Sequence, residues 1–97
     1  MAVIDAEDLN RHLKTKWAAE CGMRVRDRRK YLGLTQRHVA KATGFKIPTI
    51  SRIETGAYLP SEGARYSIAN ALGTPVVTLW PPLSEERVLE IAGEHTP

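Results

Sequence analysis

The sequence predicts an all-α fold assembled from short helices. Three observations carry that prediction. Apolar residues recur at three- and four-residue spacing, and no stretch of any length alternates with the period of two that marks a half-buried strand. Gly33, Gly44, Gly56 and Gly73 each close a stretch of helical spacing, where a helix end favours glycine. A length of 97 residues with 42% apolar content fits one domain around one modest core.

The first helix starts after Asp5, an N-cap residue followed by Glu7 and Asp8, whose carboxylates suit the positive end of a helix dipole. Leu9, Leu13 and Trp17 then recur every four residues as one apolar stripe. At Cys21 and Gly22 the pattern allows either a break or a continuation. A second stretch runs to about Leu32 and is expected to bury Val25 and Leu32. The third, capped by Thr35, runs from Gln36 to Thr43 and buries Val39 and Ala40. Gly44 and Phe45 then make a tight turn. The fourth runs from about Ile47 to Thr55 and buries Ile50 and Ile53; Pro48 fits its first turn, where an amide has no helical acceptor to lose.

Residues 56–60 read as a loop. Ser61 caps a fifth helix from Glu62 to about Leu72, which offers Tyr66, Ile68, Ala69 and Leu72 to the core. Residues 74–83 hold Val76, Leu79 and Trp80 before Pro81 and Pro82 stop any helix. Ser84 caps a last amphipathic helix to about Ala92, with Leu83, Val88 and Ile91 either exposed or docked. Residues 94–97 read as a frayed tail.

Composition excludes several classes. No stretch approaches the roughly 18 consecutive apolar residues of a membrane helix, and the first ten residues lack the basic start and apolar run of a signal peptide. Cys21 is the only cysteine, so no internal disulfide forms and the chain is expected to be cytoplasmic. His12, His38 and His95 are scattered without zinc-ligand spacing. No Gly-rich phosphate loop, metal cluster or nucleophile elbow suggests an enzyme, and no cofactor is expected.

Charge is concentrated. Between Arg24 and Arg52 lie nine basic residues against one acid, Asp27, giving that segment +8 within a chain of net +3 and leaving −5 for the rest. Such a block suits a polyanion, although charge alone fits a solvated cationic helix face equally well.

Two short helices joined by a glycine-containing turn form a helix-turn-helix arrangement. Ala40 is small enough for a close crossing, Gly44 permits the turn, and Ile50 and Ile53 pin the second helix. Its other face is left for the major groove, which is wide enough for one helix. The segment from Leu32 to Gly56 resembles the Cro/C1-type helix-turn-helix family of bacterial and phage regulators. The resemblance rests on Leu32-Gly33-Leu34-Thr35-Gln36, Val39-Ala40, Gly44, Ile50-Ser51-Arg52-Ile53-Glu54 and Gly56. It continues through Pro60, Ile68-Ala69-Asn70-Ala71-Leu72-Gly73, Val76 and Leu79-Trp80. It covers about residues 21–80. It implies a compact five-helix, lambda-repressor-like bundle, here with an N-terminal helical extension (1–20) and a short C-terminal helix and tail (81–97).

The resemblance also implies roles. Gln36 matches a glutamine that clamps phosphate beside a helix N-terminus; the plain alternative is a surface residue. Lys46, Ile47, Pro48, Ser51 and Arg52 fall on the free face of the recognition helix. Arg52 is the expected base reader, since arginine donates twice to guanine O6 and N7. Ile47 and Pro48 cannot hydrogen-bond bases and would meet thymine methyls. Many relatives are polar there, so the target sequence does not follow. Thr49 is open between phosphate contact and packing, and Lys46 suits phosphate. Arg29 and Glu54 match a family ion pair that orients the recognition helix. Arg24, Arg26, Arg28, Lys30, Arg37 and Lys41 are candidates for phosphate contact, against the alternative of solvated helix faces. In the following loop Tyr58 could donate to phosphate, Glu62 would repel it, and the backbone amides are expected to be available.

The expected function is sequence-specific binding of double-stranded DNA as a transcriptional regulator. A repressor of phage or prophage origin is expected, because the chain carries no sensor or cleavage domain. A homodimer would place two recognition helices about 34 Å apart on a palindromic operator. The Leu9/Leu13/Trp17 stripe is expected in a core or dimer interface. Residues 1–20 or 84–97 could instead grip a protein partner, which keeps open an antitoxin carrying the same module. The apolar pair Ile47 and Pro48 keeps open an adaptor without DNA binding.

Overall fold

A computed structural model describes residues 5–94; His95 and most of the expected tail lie outside the described residues. Six helices follow in order: α1 (Ala6–Tyr31), α2 (Gln36–Thr43), α3 (Ile47–Thr55), α4 (Glu62–Ala71), α5 (Val76–Leu79) and α6 (Glu85–Glu94). No strand occurs among the described residues.

The chain forms these helices for local reasons. The Asp5 side chain accepts from the Glu7 amide and opens α1. Thr35 and His38 cap α2 reciprocally: Thr35 Oγ1 accepts from the His38 amide, and His38 Nδ1 accepts from the Thr35 amide. Ser61 and Ser84 accept from Ala64 and Arg87 at the starts of α4 and α6. Gly44 and Gly56 end α2 and α3 with φ of 79° and 81°, a left-handed conformation that glycine adopts without a Cβ clash.

α1 is one continuous helix of 26 residues through Cys21 and Gly22. Gly22 does not break it. Ala18, Cys21, Gly22, Val25 and Arg29 make one buried face, and a Cβ at position 22 would lie 2.3 Å from the Ile53 carbonyl oxygen. The glycine is there so that α1 and α3 can touch backbone to backbone.

The core gathers Cys21 and Val25 of α1, Val39 and Ala40 of α2, Ile50 and Ile53 of α3, Ile68 and Ala69 of α4, then Leu72, Leu79 and Trp80. Two residues expected there are on the surface. Leu32 is 39% exposed and Tyr66 57% exposed. Leu32 sits at the C-cap of α1, past the last buried residue of that helix, and Leu34 packs against the core in its place. Tyr66 stands two positions from Ile68, about 200° around the helix, and so points the other way.

α6 docks antiparallel across the middle of α1. Ile91 is fully buried, Glu94 pairs with Lys16 at 3.5 Å, and Arg87 pairs with Glu20. The Trp17 indole donates to the Pro81 carbonyl at 2.7 Å and ties the linker before α6 to α1.

Candidate nucleic-acid interface

α2, the turn through Gly44-Phe45-Lys46, and α3 are held by side chains from both helices. Ala40 is buried where α3 crosses, and Ile50 and Ile53 seat α3 on the core. The opposite face of α3 is open: Lys46, Pro48 and Arg52 are exposed, Ile47 is 37% exposed, and Thr49 and Ser51 are half-buried.

Three shallow grooves border this face. Arg37 and Lys41 of α2 line one of them with Lys46, Ile47 and Pro48. Thr49 and Arg52 line the second with Ala57 and Tyr58 of the following loop. Ser51 and Thr55 line the third with Gln36 of α2 and Arg26 of α1. The nine residues singled out as DNA-facing are therefore contiguous around α3. Thr55 and Ala57 join them; no sequence feature marked these two, since neither carries charge. Arg52 makes no side-chain hydrogen bond or ion pair among the described residues, and its carbonyl accepts from the Thr55 hydroxyl and the Tyr58 amide. The Tyr58 amide, expected to be available, is thus committed at 3.2 Å to Arg52.

Behind the open face, Arg29 and Glu54 are buried together. Arg29 Nε donates to Glu54 Oε2 at 2.6 Å, and Nη2 donates to Oε1 at 2.9 Å. Arg29 Nη1 also donates to the Leu34 carbonyl at 2.9 Å. Hydrogen bonding to Glu54 raises the Arg29 guanidinium further above its already high pKa, so Arg29 keeps its charge although buried. Gln36 Nε2 donates to Glu54 Oε1 at 3.2 Å. One amide hydrogen of Gln36 is therefore taken up inside the protein, and the glutamine is oriented by the ion pair.

The basic run of α1 divides by direction. Arg28 is removed from the phosphate candidates: its Nε donates to the Leu72 carbonyl at 3.0 Å, its Nη2 to the Gly73 carbonyl at 3.3 Å, and its guanidinium lies 5.6 Å from the Tyr31 ring centroid. It satisfies the carbonyls left open at the end of α4. Arg26 lines the groove beside Gln36, and Arg24 lines a crevice beside Pro81 and Pro82. No group of three or more His, Cys, Asp or Glu that could hold a metal occurs among the described residues. Cys21 is 1% exposed, and burial pushes its thiol up to about 11. No helix among the described residues is long and apolar enough to cross a membrane.

Residues 20–79 match the family described as helix-turn-helix domain. The chain belongs to that helix-turn-helix family. Part of this helix-turn-helix chain is 45% identical, over 49 residues, to an uncharacterized HTH-type transcriptional regulator of Methanothermobacter thermautotrophicus, covering 50% of this chain and 71% of the relative. The solved structure of the clp gene regulator ClgR from C. glutamicum superposes with a TM-score of 0.62 at 25% identity. That superposition covers 82% of this chain and 94% of ClgR. The all-α architecture is thus shared beyond the core motif, as the Cro/C1-type resemblance implies.

Proposed function

We propose that this helix-turn-helix chain is a transcriptional regulator that binds double-stranded DNA sequence-specifically with α3 in the major groove. One observation carries the reading: the face of α3 opposite Ile50 and Ile53 is open and bears Arg52, a guanidinium that no described residue engages. Arg52 reads a guanine edge, and Ile47 and Pro48 meet thymine methyls. Gln36, Arg37, Lys46 and Tyr58 hold phosphates on either side, with Thr49 and Ser51 at the groove wall and Arg26 as a further phosphate contact beside Gln36. The +8 charge between Arg24 and Arg52 supplies the attraction that precedes docking.

A nine-residue recognition helix reaches only a few base pairs. A homodimer on a palindrome, with half-sites about 34 Å apart, supplies the rest of the specificity. Operator occupancy then acts as repression. The test is selection of bound duplexes from a random pool, followed by band shifts across a salt series. A palindromic consensus with steeply salt-dependent affinity is expected. Absence of any enriched sequence together with a flat salt response would overturn the reading.

A further inference from the structure

A second concave feature lies away from the open face of α3. α1, the linker after Trp80 and the start of α6 enclose a crevice of about 310 Å³, within the range of small-molecule sites. Trp17, Pro82 and Leu83 give it an apolar wall, and Glu20, Arg24 and Arg87 its polar side. The two cations differ in what they already hold. Arg87 pairs with Glu20 and Glu90, so those charges offset one another. Arg24 is exposed and makes no hydrogen bond or ion pair to another described residue. An apolar wall beside one uncommitted guanidinium suits a ligand with a flat apolar body and a planar or tetrahedral anion, which arginine grips with two parallel N–H donors.

We propose that this crevice binds a small organic anion, its apolar body against Trp17 and Leu83 and its carboxylate or phosphate on Arg24. The site is wired to the DNA-facing side through Trp17. The Trp17 indole holds the Pro81 carbonyl at 2.7 Å, and the Arg65 guanidinium lies 5.1 Å from the centroid of the same ring. Arg65 Nε in turn donates to the Pro60 carbonyl at 3.0 Å, at the end of the loop that carries Tyr58. A ligand that shifts Trp17 therefore shifts the tether of that loop and changes DNA affinity. This coupling rests on the DNA-binding reading; the binding itself does not.

The test uses the full chain labelled with nitrogen-15 and titrated with 1-naphthoate and 1-naphthyl phosphate, with uncharged 1-naphthamide as control. The indole N–H signal of Trp17 should move while that of Trp80 stays, and the amide should have little effect; whichever anion moves it further identifies the preferred head group. Arg24→Ala should weaken binding roughly tenfold or more, the loss of a charge-assisted contact, and Arg24→Lys should recover only part of it, because an ammonium keeps the charge and loses the paired donors. No Trp17 shift at millimolar ligand, equal binding of the amide, or an unaffected Arg24→Ala variant each overturns the site. Band shifts with saturating anion then test the coupling. A changed DNA affinity that disappears in Arg65→Ala supports it, and an unchanged affinity refutes it. Failure of the DNA reading itself would show separately, as absent DNA binding without any ligand.

Discussion

Arg29 and Glu54 face each other across the seam between α1 and α3, joined by two hydrogen bonds of 2.6 and 2.9 Å and almost wholly shielded from water. Both residues also serve neighbours: Arg29 holds the Leu34 carbonyl, and Glu54 accepts from Gln36. The pair therefore ties together the end of α1, the start of α2 and the C-terminal half of the recognition helix.

Removing either partner strands a buried charge. Arg29→Ala and Glu54→Ala are each expected to destabilise the fold by about 3 kcal/mol. The double variant Arg29→Met/Glu54→Leu should cost far less than the sum, because no unpaired charge remains. Urea denaturation of the three variants measures this; additive losses would show that the two side chains act independently.

Gly22 and Gly63 give opposite expectations for the same substitution. A Cβ at 22 would meet the Ile53 and Glu54 carbonyl oxygens at 2.3 and 2.7 Å, whereas at 63 nothing lies within 4 Å. Gly22→Ala should push α3 away from α1 and cost about 2 kcal/mol despite alanine's better helix propensity. Gly63→Ala should stabilise by roughly 0.5 kcal/mol. Thermal midpoints moving in the same direction for both would contradict the packing role of Gly22.

Cys21 makes stability fall at alkaline pH. The ordinary thiol pKa is 9.0, and burial raises that of Cys21 to about 11. Between those values the unfolded chain has released its proton while the folded chain retains it. The contribution is thus fully present below pH 9 and lost as pH rises through about 11. Denaturation midpoints of wild type and Cys21→Ala should diverge in that window, with the alanine variant flatter. Parallel pH curves would remove Cys21 as the cause.

Arg52 and Lys46 should separate in DNA binding. Arg52→Ala is expected to weaken specific binding by about 1–3 kcal/mol and relax preference at one base pair. Lys46→Ala should weaken all sequences evenly and lower the salt slope by roughly 1. Equal losses for Arg52→Ala on selected and random duplexes would make it a phosphate contact.

The order of helices, their caps and the helix-turn-helix spacing were legible in the sequence alone. Thr35, Ser61, Ser84 and Gly44 act on atoms a few residues away, so composition and spacing suffice to place them, whereas Gly56 also lets the end of α3 lie against the Ala19 backbone, 2.6 Å from where a Cβ would be. Even Arg29 and Glu54 were legible, because the resemblance carried them as a pair. The use of the other polar side chains was decided only by tertiary structure. Arg28 reaches a carbonyl 44 residues on, Trp17 one 64 residues on, and Gln36 a carboxylate 18 residues on. Gly22 could be read as a break or as a continuation of the helix until Ile53 was seen against it, and Leu32 and Tyr66 lost their expected burial to the direction in which their helices face. Helix periodicity says which residues share a face; only the packing of one helix on another says which face meets protein, water or ligand.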